Sequence, residues 1–184
     1  MKNNKKRFTL GICLALIAAF AIGGTVAYLS AKTGTVKNDF TPVTITPEID
    51  EKVENNVKTY AKVNNKSNTD VYIRADVIIT WKNTTTQEVL PVKDTDYSIK
   101  WNETDWFNEG GILYHKAKVS ENGSTANIFT DCKPIVNPPK DGYTLNVEIL
   151  AQAVQATPAQ AVQELWSDVK VDSTGALVPV AVKN

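Results

Sequence analysis

The fold turns on Val71-Tyr72-Ile73-Arg74-Ala75-Asp76-Val77-Ile78-Ile79-Thr80-Trp81. In an extended chain successive side chains point to opposite faces, so Val71, Ile73, Ala75, Val77, Ile79 and Trp81 share one face, while Tyr72, Arg74, Asp76 and Thr80 share the other. One apolar face and one mixed face is the pattern of a strand packed on a core from one side. Just upstream, Asn64-Asn65-Lys66-Ser67-Asn68-Thr69-Asp70 is rich in turn formers, and Val57 to Val63 is a second β-prone run. The pair predicts a β-hairpin, the strongest such signal in the chain.

Moving outward, further runs rich in β-branched and aromatic residues recur at Phe40 to Ile49, Glu88 to Val92, Tyr97 to Trp101, Gly111 to Val119, Ala126 to Pro134 and Tyr143 to Gln152. Turn clusters separate them, among them Asn122-Gly123 and the loop Asn137-Pro138-Pro139-Lys140-Asp141-Gly142, at intervals suited to a sandwich or barrel. Pro42 and Pro47 each lack a backbone donor, so Phe40 to Ile49 is predicted as an edge strand or a bent one. Helical grammar occurs only at Thr157 to Val169. Thr157 suits an N-cap, Pro158 the first helical position and Gln160 a capping box, and Val162, Leu165, Trp166 and Val169 recur along one helical face. The expectation is a mainly β antiparallel protein with one short helix near the carboxyl end.

The amino terminus reads as an address. Lys5, Lys6 and Arg7 precede an uncharged stretch from Phe8 to Ala31, Leu10 to Ile22 has the length of a signal-peptide apolar region, and Thr25-Val26-Ala27 supplies small residues for a peptidase. The expected cut follows Ala27 and leaves Tyr28 as the first residue, with Leu29-Ser30-Ala31 as the second choice. An uncleaved anchor is the alternative, since a run of this length can cross the roughly 30 Å of a bilayer's hydrocarbon core. Either way the membrane enters only through this segment. Cys13 opens the apolar run instead of following it, which argues against a lipid-modified cysteine. The domain division is therefore a signal peptide at residues 1–27 and one domain at residues 28–184.

The whole chain of 184 residues balances 20 Lys and Arg against 20 Asp and Glu. Removing residues 1–27 takes away Lys2, Lys5, Lys6 and Arg7 and no acid, leaving 16 basic against 20 acidic side chains, a net charge of −4. An acidic product lacks the positive field that nucleic acid requires. One cysteine, Cys132, and one histidine, His115, remain, too few for an intrachain disulfide or a recognisable zinc site. Asp94-Thr95-Asp96 is similar to the start of a calcium loop, but Ile99 stands where such a loop needs glycine, so a solvated turn is expected. No phosphate-binding glycine loop and no singled-out carboxylate pair is present. No catalytic residue, metal or cofactor is assigned. Trp101 and Trp106, separated by polar residues, form a candidate ligand platform for sugar stacking; the competing reading makes them core anchors.

Several stretches together resemble the TasA, camelysin and BsaA-like family of exported proteins. Gly23-Gly24-Thr25-Val26-Ala27-Tyr28 resembles the family's processing site, and Asn38-Asp39-Phe40 leading into Val43-Thr44-Ile45 resembles its first mature strand. The turn from Asn64 into Val71-Tyr72-Ile73-Arg74, the stretch from Asp105-Trp106-Phe107 to Leu113-Tyr114-His115-Lys116, and Ala151 to Ala156 with Trp166 follow in the family's order. The resemblance implies a jelly-roll-like β-sandwich, processed by a signal peptidase of SipW type in a Gram-positive bacterium and secreted to form fibres of a biofilm matrix or cell surface. Camelysin-like relatives carry a metalloprotease label, which the residues here do not support. The implied partners are further copies of the chain and other matrix proteins. Polymerisation would proceed by β-strand addition, because an open sheet edge offers unpaired backbone groups to a donated strand. The candidate donor is residues 28–49, with Phe40, Val43, Ile45 and Ile49 as its anchoring side chains. The runner-up is a surface carbohydrate-binding or adhesive module using Trp101 and Trp106.

Amino-terminal sequencing of the exported protein is expected to read from Tyr28. A sequence that starts at Met1 on cell-associated protein would instead make the apolar segment an anchor.

Overall fold

The computed structural model describes residues 42–55 and 57–181. The expected cleavage-site residues Thr25, Ala27 and Tyr28 and the expected donor-strand residue Phe40 lie outside the described residues. From Val43 onward the described residues form one compact unit. It is a mainly β, antiparallel sandwich with a single short helix among the described residues. The strands are β1 (Pro47–Glu54), β2 (Val57–Asn65), β3 (Val71–Asn83), β4 (Val89–Pro91), β5 (Tyr97–Trp101), β6 (Trp106–Glu109), β7 (Ile112–His115), β8 (Phe129–Pro134), β9 (Tyr143–Gln155), β10 (Val169–Val171) and β11 (Leu177–Pro179). The helix α1 is Gln160–Leu165.

One sheet runs in the order β1-β2-β8-β5. The other is organised around β3, which pairs with β9 along all 13 of its residues, from Val71↔Gln155 to Asn83↔Tyr143. Since β9 occupies one edge of β3 completely, β4 and β7 share the opposite edge at different heights, and β6 pairs with β7 beyond it. The central stretch is therefore a strand, with the faces that its alternation predicts. Val71, Ile73 and Ala75 lie in the main core with Ala61 and Val63 of β2, Phe129 and Cys132 of β8, and Val147 of β9, while Val77 and Ile79 pack at its margin.

The predicted hairpin of Val57–Val63 with Val71–Trp81 does not form. β2 belongs to the first sheet and β3 to the second, and the turn-rich segment between them is a crossover. Asn65, fully buried, fixes this crossover: its Nδ2 donates to the carbonyls of Thr69, Val119 and Ser120, and its Oδ1 accepts from the Ser67 N–H. A buried amide that saturates four backbone groups holds the chain in a path that alternation cannot signal. The hairpin partner of β2 is instead β1, joined to it through Asn55 at φ 51°. Among the described residues the first strand thus begins at Pro47, with residues 42–46 outside it. Proline is tolerated at a strand's first position, where no ladder donor is required.

The outer face of β3 is not solvated at its first end. Tyr72 and Tyr114 are buried with Val154, Val162, Trp166, Val169 and Leu177 in a second core, which the carboxyl-terminal segment builds on the outside of the sheet. Arg74 lies 4.9 Å over the Trp166 ring, its Nε and Nη2 donate to Gln152 Oε1, and the Tyr72 hydroxyl donates to the Gly175 carbonyl. This packing shortens the predicted helix. Trp166 leaves the helical path at φ −128°, ψ 90° to reach beneath Arg74, and Val169 opens the β10–β11 ribbon. The helix starts after Ala159 with no side-chain cap, so the capping role expected of Thr157 is not taken up.

Replacing Ile73, fully buried, with alanine is expected to lower stability by about 2–5 kcal/mol, whereas Ile78→Ala, on the exposed face of the same strand, should stay within about 0.5 kcal/mol. Denaturant midpoints measure both, and equal losses would refute the facing assignment.

Candidate functional site

The sandwich is open along both of its sides. On one side the edge strand β1 of the first sheet lies near β9, the outer strand of the second. Between them runs a groove of about 660 Å³, walled by Ile49, Glu51 and Val53 on one flank and by residues 144–150 of β9 on the other. Its floor carries Lys58 and Cys132, which sit directly opposite one another on β2 and β8. Lys58 is only 7% exposed, and its Nζ donates to Glu51 Oε2 at 2.7 Å and to the Val147 carbonyl at 2.5 Å. A buried ammonium tolerates this position because a carboxylate and a carbonyl replace its lost water. Lys58 therefore ties β1 and β2 to β9 across the open side.

Strand alternation puts Lys58 on the same face as Tyr60 and Lys62, and on that basis it escapes notice. Two irregularities change the parity. In the β1–β2 ladder Lys52 pairs with Tyr60 and Val53 with Lys58, so Thr59 is left as an extra residue. In the β5–β8 ladder Ser98 pairs with Lys133 and Lys100 with Thr130, and Asp131 takes φ 55° to absorb the mismatch. Bulges of this kind re-aim the following side chain. No composition signal would have located them.

Cys132 is buried beside Lys58. Burial pushes its thiol up to about 11, with the neighbouring ammonium pulling weakly the other way. At neutral pH it is a protonated thiol, unsuited to nucleophilic attack. His115 is buried as well. Its Nδ1 is 2.7 Å from the Ala117 carbonyl and its Nε2 accepts from the Ala126 N–H at 3.4 Å, which fits the neutral Nδ1–H tautomer. The ring meets Trp106 edge-on at 5.1 Å. Asp96, in the segment similar to a calcium loop, accepts from the Lys93 N–H and from Trp81 Nε1. Those bonds, the Lys93 amide first, hold its carboxyl below the usual range. Its role is to brace a buried tryptophan. Among the described residues, no three His, Cys, Asp or Glu side chains gather as a metal-binding group.

On the opposite side, between edge strands β5 and β6, lies a second cavity of about 330 Å³. It brings Trp101 and Trp106 together, with Asn102, Glu103, Phe107 and Asn108. The two tryptophans differ sharply. Trp106 is 1% exposed and its Nε1 donates to the Ala126 carbonyl, making it a core anchor that bounds the cavity. Trp101 is 39% exposed and packs edge-on against Phe129 at 5.8 Å. Only Trp101 can present a ring to a ligand.

The donor-strand residues that the structure describes are also divided. Val43 and Ile45 are 49% and 36% exposed. Ile49 pairs with Val63 of its own chain and packs against the main core. From Thr44 the arm ahead of β1 already follows its own domain: the Thr44 and Thr46 N–H groups donate to Asn68 Oδ1 and Ser67 Oγ, and the Thr46 carbonyl accepts from the Lys66 N–H.

Comparison with protein-family models, with curated proteins and with solved structures found no match.

Burial holds the His115 imidazole below its ordinary value of 6.5, against the opposing pull of the Ala117 hydrogen bond and Asp105. As the pH falls below 6.5 the unfolded chain takes up a proton that the folded chain refuses, so stability is lost on acidification until the lower folded value is passed. Urea midpoints measured between about pH 7 and pH 5 should fall less steeply for His115→Gln than for the parent. Parallel slopes would show that His115 does not contribute.

Proposed function

We propose that this protein is a secreted structural component of a biofilm matrix or bacterial surface, and that it polymerises into fibres by strand addition between copies. The observation that carries the reading is the groove between β1 and β9. It is long, open and walled by alternating apolar side chains, among them Ile49, Val53, Leu145, Val147 and Ile149, in the manner of a seat for one more strand. The outer edge of β9 supplies the backbone partner: among the described residues its ladder is with β3 on the other edge, and Lys58 takes the Val147 carbonyl alone. Lys58, held by Glu51 and Val147, supports the floor without closing the groove.

The self-paired arm narrows the candidate donor. Residues from Thr44 onward are engaged with their own domain, so the segment we assign to a neighbouring copy lies ahead of Pro42 and includes Phe40. Part of the charge pattern suits the seat, since Glu48 has no ion pair among the described residues, whereas Asp50, Glu51 and Glu54 are ion-paired with Lys62, Lys58 and Lys52. Residues 28–41 carry Lys32 and Lys37 against Asp39, while the wall strand β1 carries Glu48, Asp50, Glu51 and Glu54 against Lys52. The family resemblance supports the same reading and adds a SipW-type signal peptidase and other matrix proteins as partners. A non-enzymatic role is supported by the state of the reactive side chains: Cys132 is protonated, both His115 nitrogens are hydrogen-bonded, and Lys58 is paired.

Phe40→Asp is expected to leave a folded monomer while abolishing fibres, since a fully buried phenylalanine contributes roughly 1.5–3 kcal/mol and an unpaired buried carboxylate reverses the gain. Ile49→Asp should instead destabilise the monomer itself. Electron microscopy and sizing chromatography read the first outcome and circular dichroism the second; normal fibres from Phe40→Asp would remove the donated strand from the mechanism.

A further inference from the structure

The cavity between β5 and β6 plays no part in strand addition as proposed above. From its side chains we infer that it is a binding site for a neutral saccharide, of one or two rings. Trp101 exposes its ring while Phe129 fixes it edge-on, so the indole is presented without the entropy cost of ordering a mobile side chain. The electron-rich face of an indole attracts the weakly positive C–H face of a pyranose, an interaction that an anionic or purely apolar ligand does not match.

Two polar groups at the rim complete the arrangement. The Glu103 carboxylate makes no hydrogen bond or ion pair with the described residues; only its backbone carbonyl is used, by Lys116 Nζ. Asn108 spends its Oδ1 on the Gly111 N–H, which fixes the amide and leaves its nitrogen without a partner. An acceptor and a donor lining the same cavity as an aromatic ring match the hydroxyls around a sugar, each of which donates and accepts. Glu103 is the only acidic or basic side chain among the described residues lining the cavity, so anionic glycans are disfavoured. The volume, about 330 Å³, is near the bottom of the roughly 300–1,000 Å³ usual for small-molecule sites, which limits the occupant to a short saccharide.

A strand from another copy fits this side poorly. β5 and β6 have 5 and 4 residues, the β5–β8 ladder is bulged at Asp131, and β5 carries the charged Lys100, ion-paired across the ladder to Asp131. Short, bulged and charged edges resist strand addition.

The test titrates the full chain with maltotriose, cellotriose and chitotriose, and with trigalacturonate as the anionic control, following tryptophan fluorescence. At least one neutral trisaccharide should bind saturably, and trigalacturonate at least about tenfold more weakly. Trp101→Ala should weaken binding by about tenfold or more, Trp101→Phe should retain most of it, and Glu103→Gln should narrow the gap between neutral and anionic probes. Circular dichroism checks that the variants fold, and Glu103→Gln, a substitution on an exposed loop, keeps the test decisive if Trp101→Ala does not. The inference is overturned if no neutral trisaccharide saturates, if Trp101→Ala binds as the parent does, or if that variant loses fibres while sugar binding is unchanged, which would make the cavity a strand seat. Because the site is separate from the β1–β9 groove, loss of sugar binding with fibres intact, or the converse, distinguishes failure of this inference from failure of the fibre reading.

Discussion

The pairing of β3 with β9 is the constraint from which the rest of the sandwich follows. Thirteen residues of each strand match without a break, so the ladder fixes both faces of the second sheet at once. On the inner face Val71, Ile73 and Ala75 with Val147 meet the first sheet across the main core. On the outer face Tyr72 and Val154, neighbours in the ladder, start the second core on which α1, β10 and β11 settle. A one-residue slip would send every one of these side chains to the wrong face. Because β9 fills one edge of β3 from end to end, the short strands β4 and β7 are confined to the other edge, and among the described residues the only long open edge of that sheet belongs to β9 itself.

The central alternation was legible because burial on one face leaves a period of two that no tertiary effect disturbs. The partner of β3 was not legible. Neighbouring strands with a turn between them usually form a hairpin, but here Asn65 diverts the chain into the other sheet, and the true partner lies some seventy residues downstream. The carboxyl-terminal helix failed for a related reason. Its apolar spacing is real, but Trp166 and Val169 gain more by packing against Arg74, Tyr72 and Tyr114 than by extending an isolated helix, and short helices depend on such packing for their stability.

The sites were legible to different degrees. Trp101 and Trp106 do converge on one cavity, but sequence gives no means of telling which ring faces solvent, and the answer depends on His115 and Ala126 closing over Trp106. Lys58 and Cys132 were invisible as a pair. Their meeting depends on an unpaired Thr59 and on Asp131 at positive φ, and a bulge is a property of two strands in register, not of either strand alone.

The two open sides of the sandwich are built to different ends, and the difference lies in how each edge is defended. The β5–β6 side has strands too short and too irregular to template another chain, and it closes into a small cavity with unpaired polar groups. On the other side the edge strand β1 carries four acids, which discourages two like edges from pairing with one another. The same charges do not repel a segment bearing Lys32 and Lys37. On the proposed reading, an edge that rejects its own copy yet accepts a basic arm from it joins molecules head to tail unless two copies exchange arms reciprocally, and a head-to-tail contact propagates into a filament unless its rotation closes a ring. Directional growth of that kind would need no second interface, so on that reading one groove and one arm suffice for a fibre.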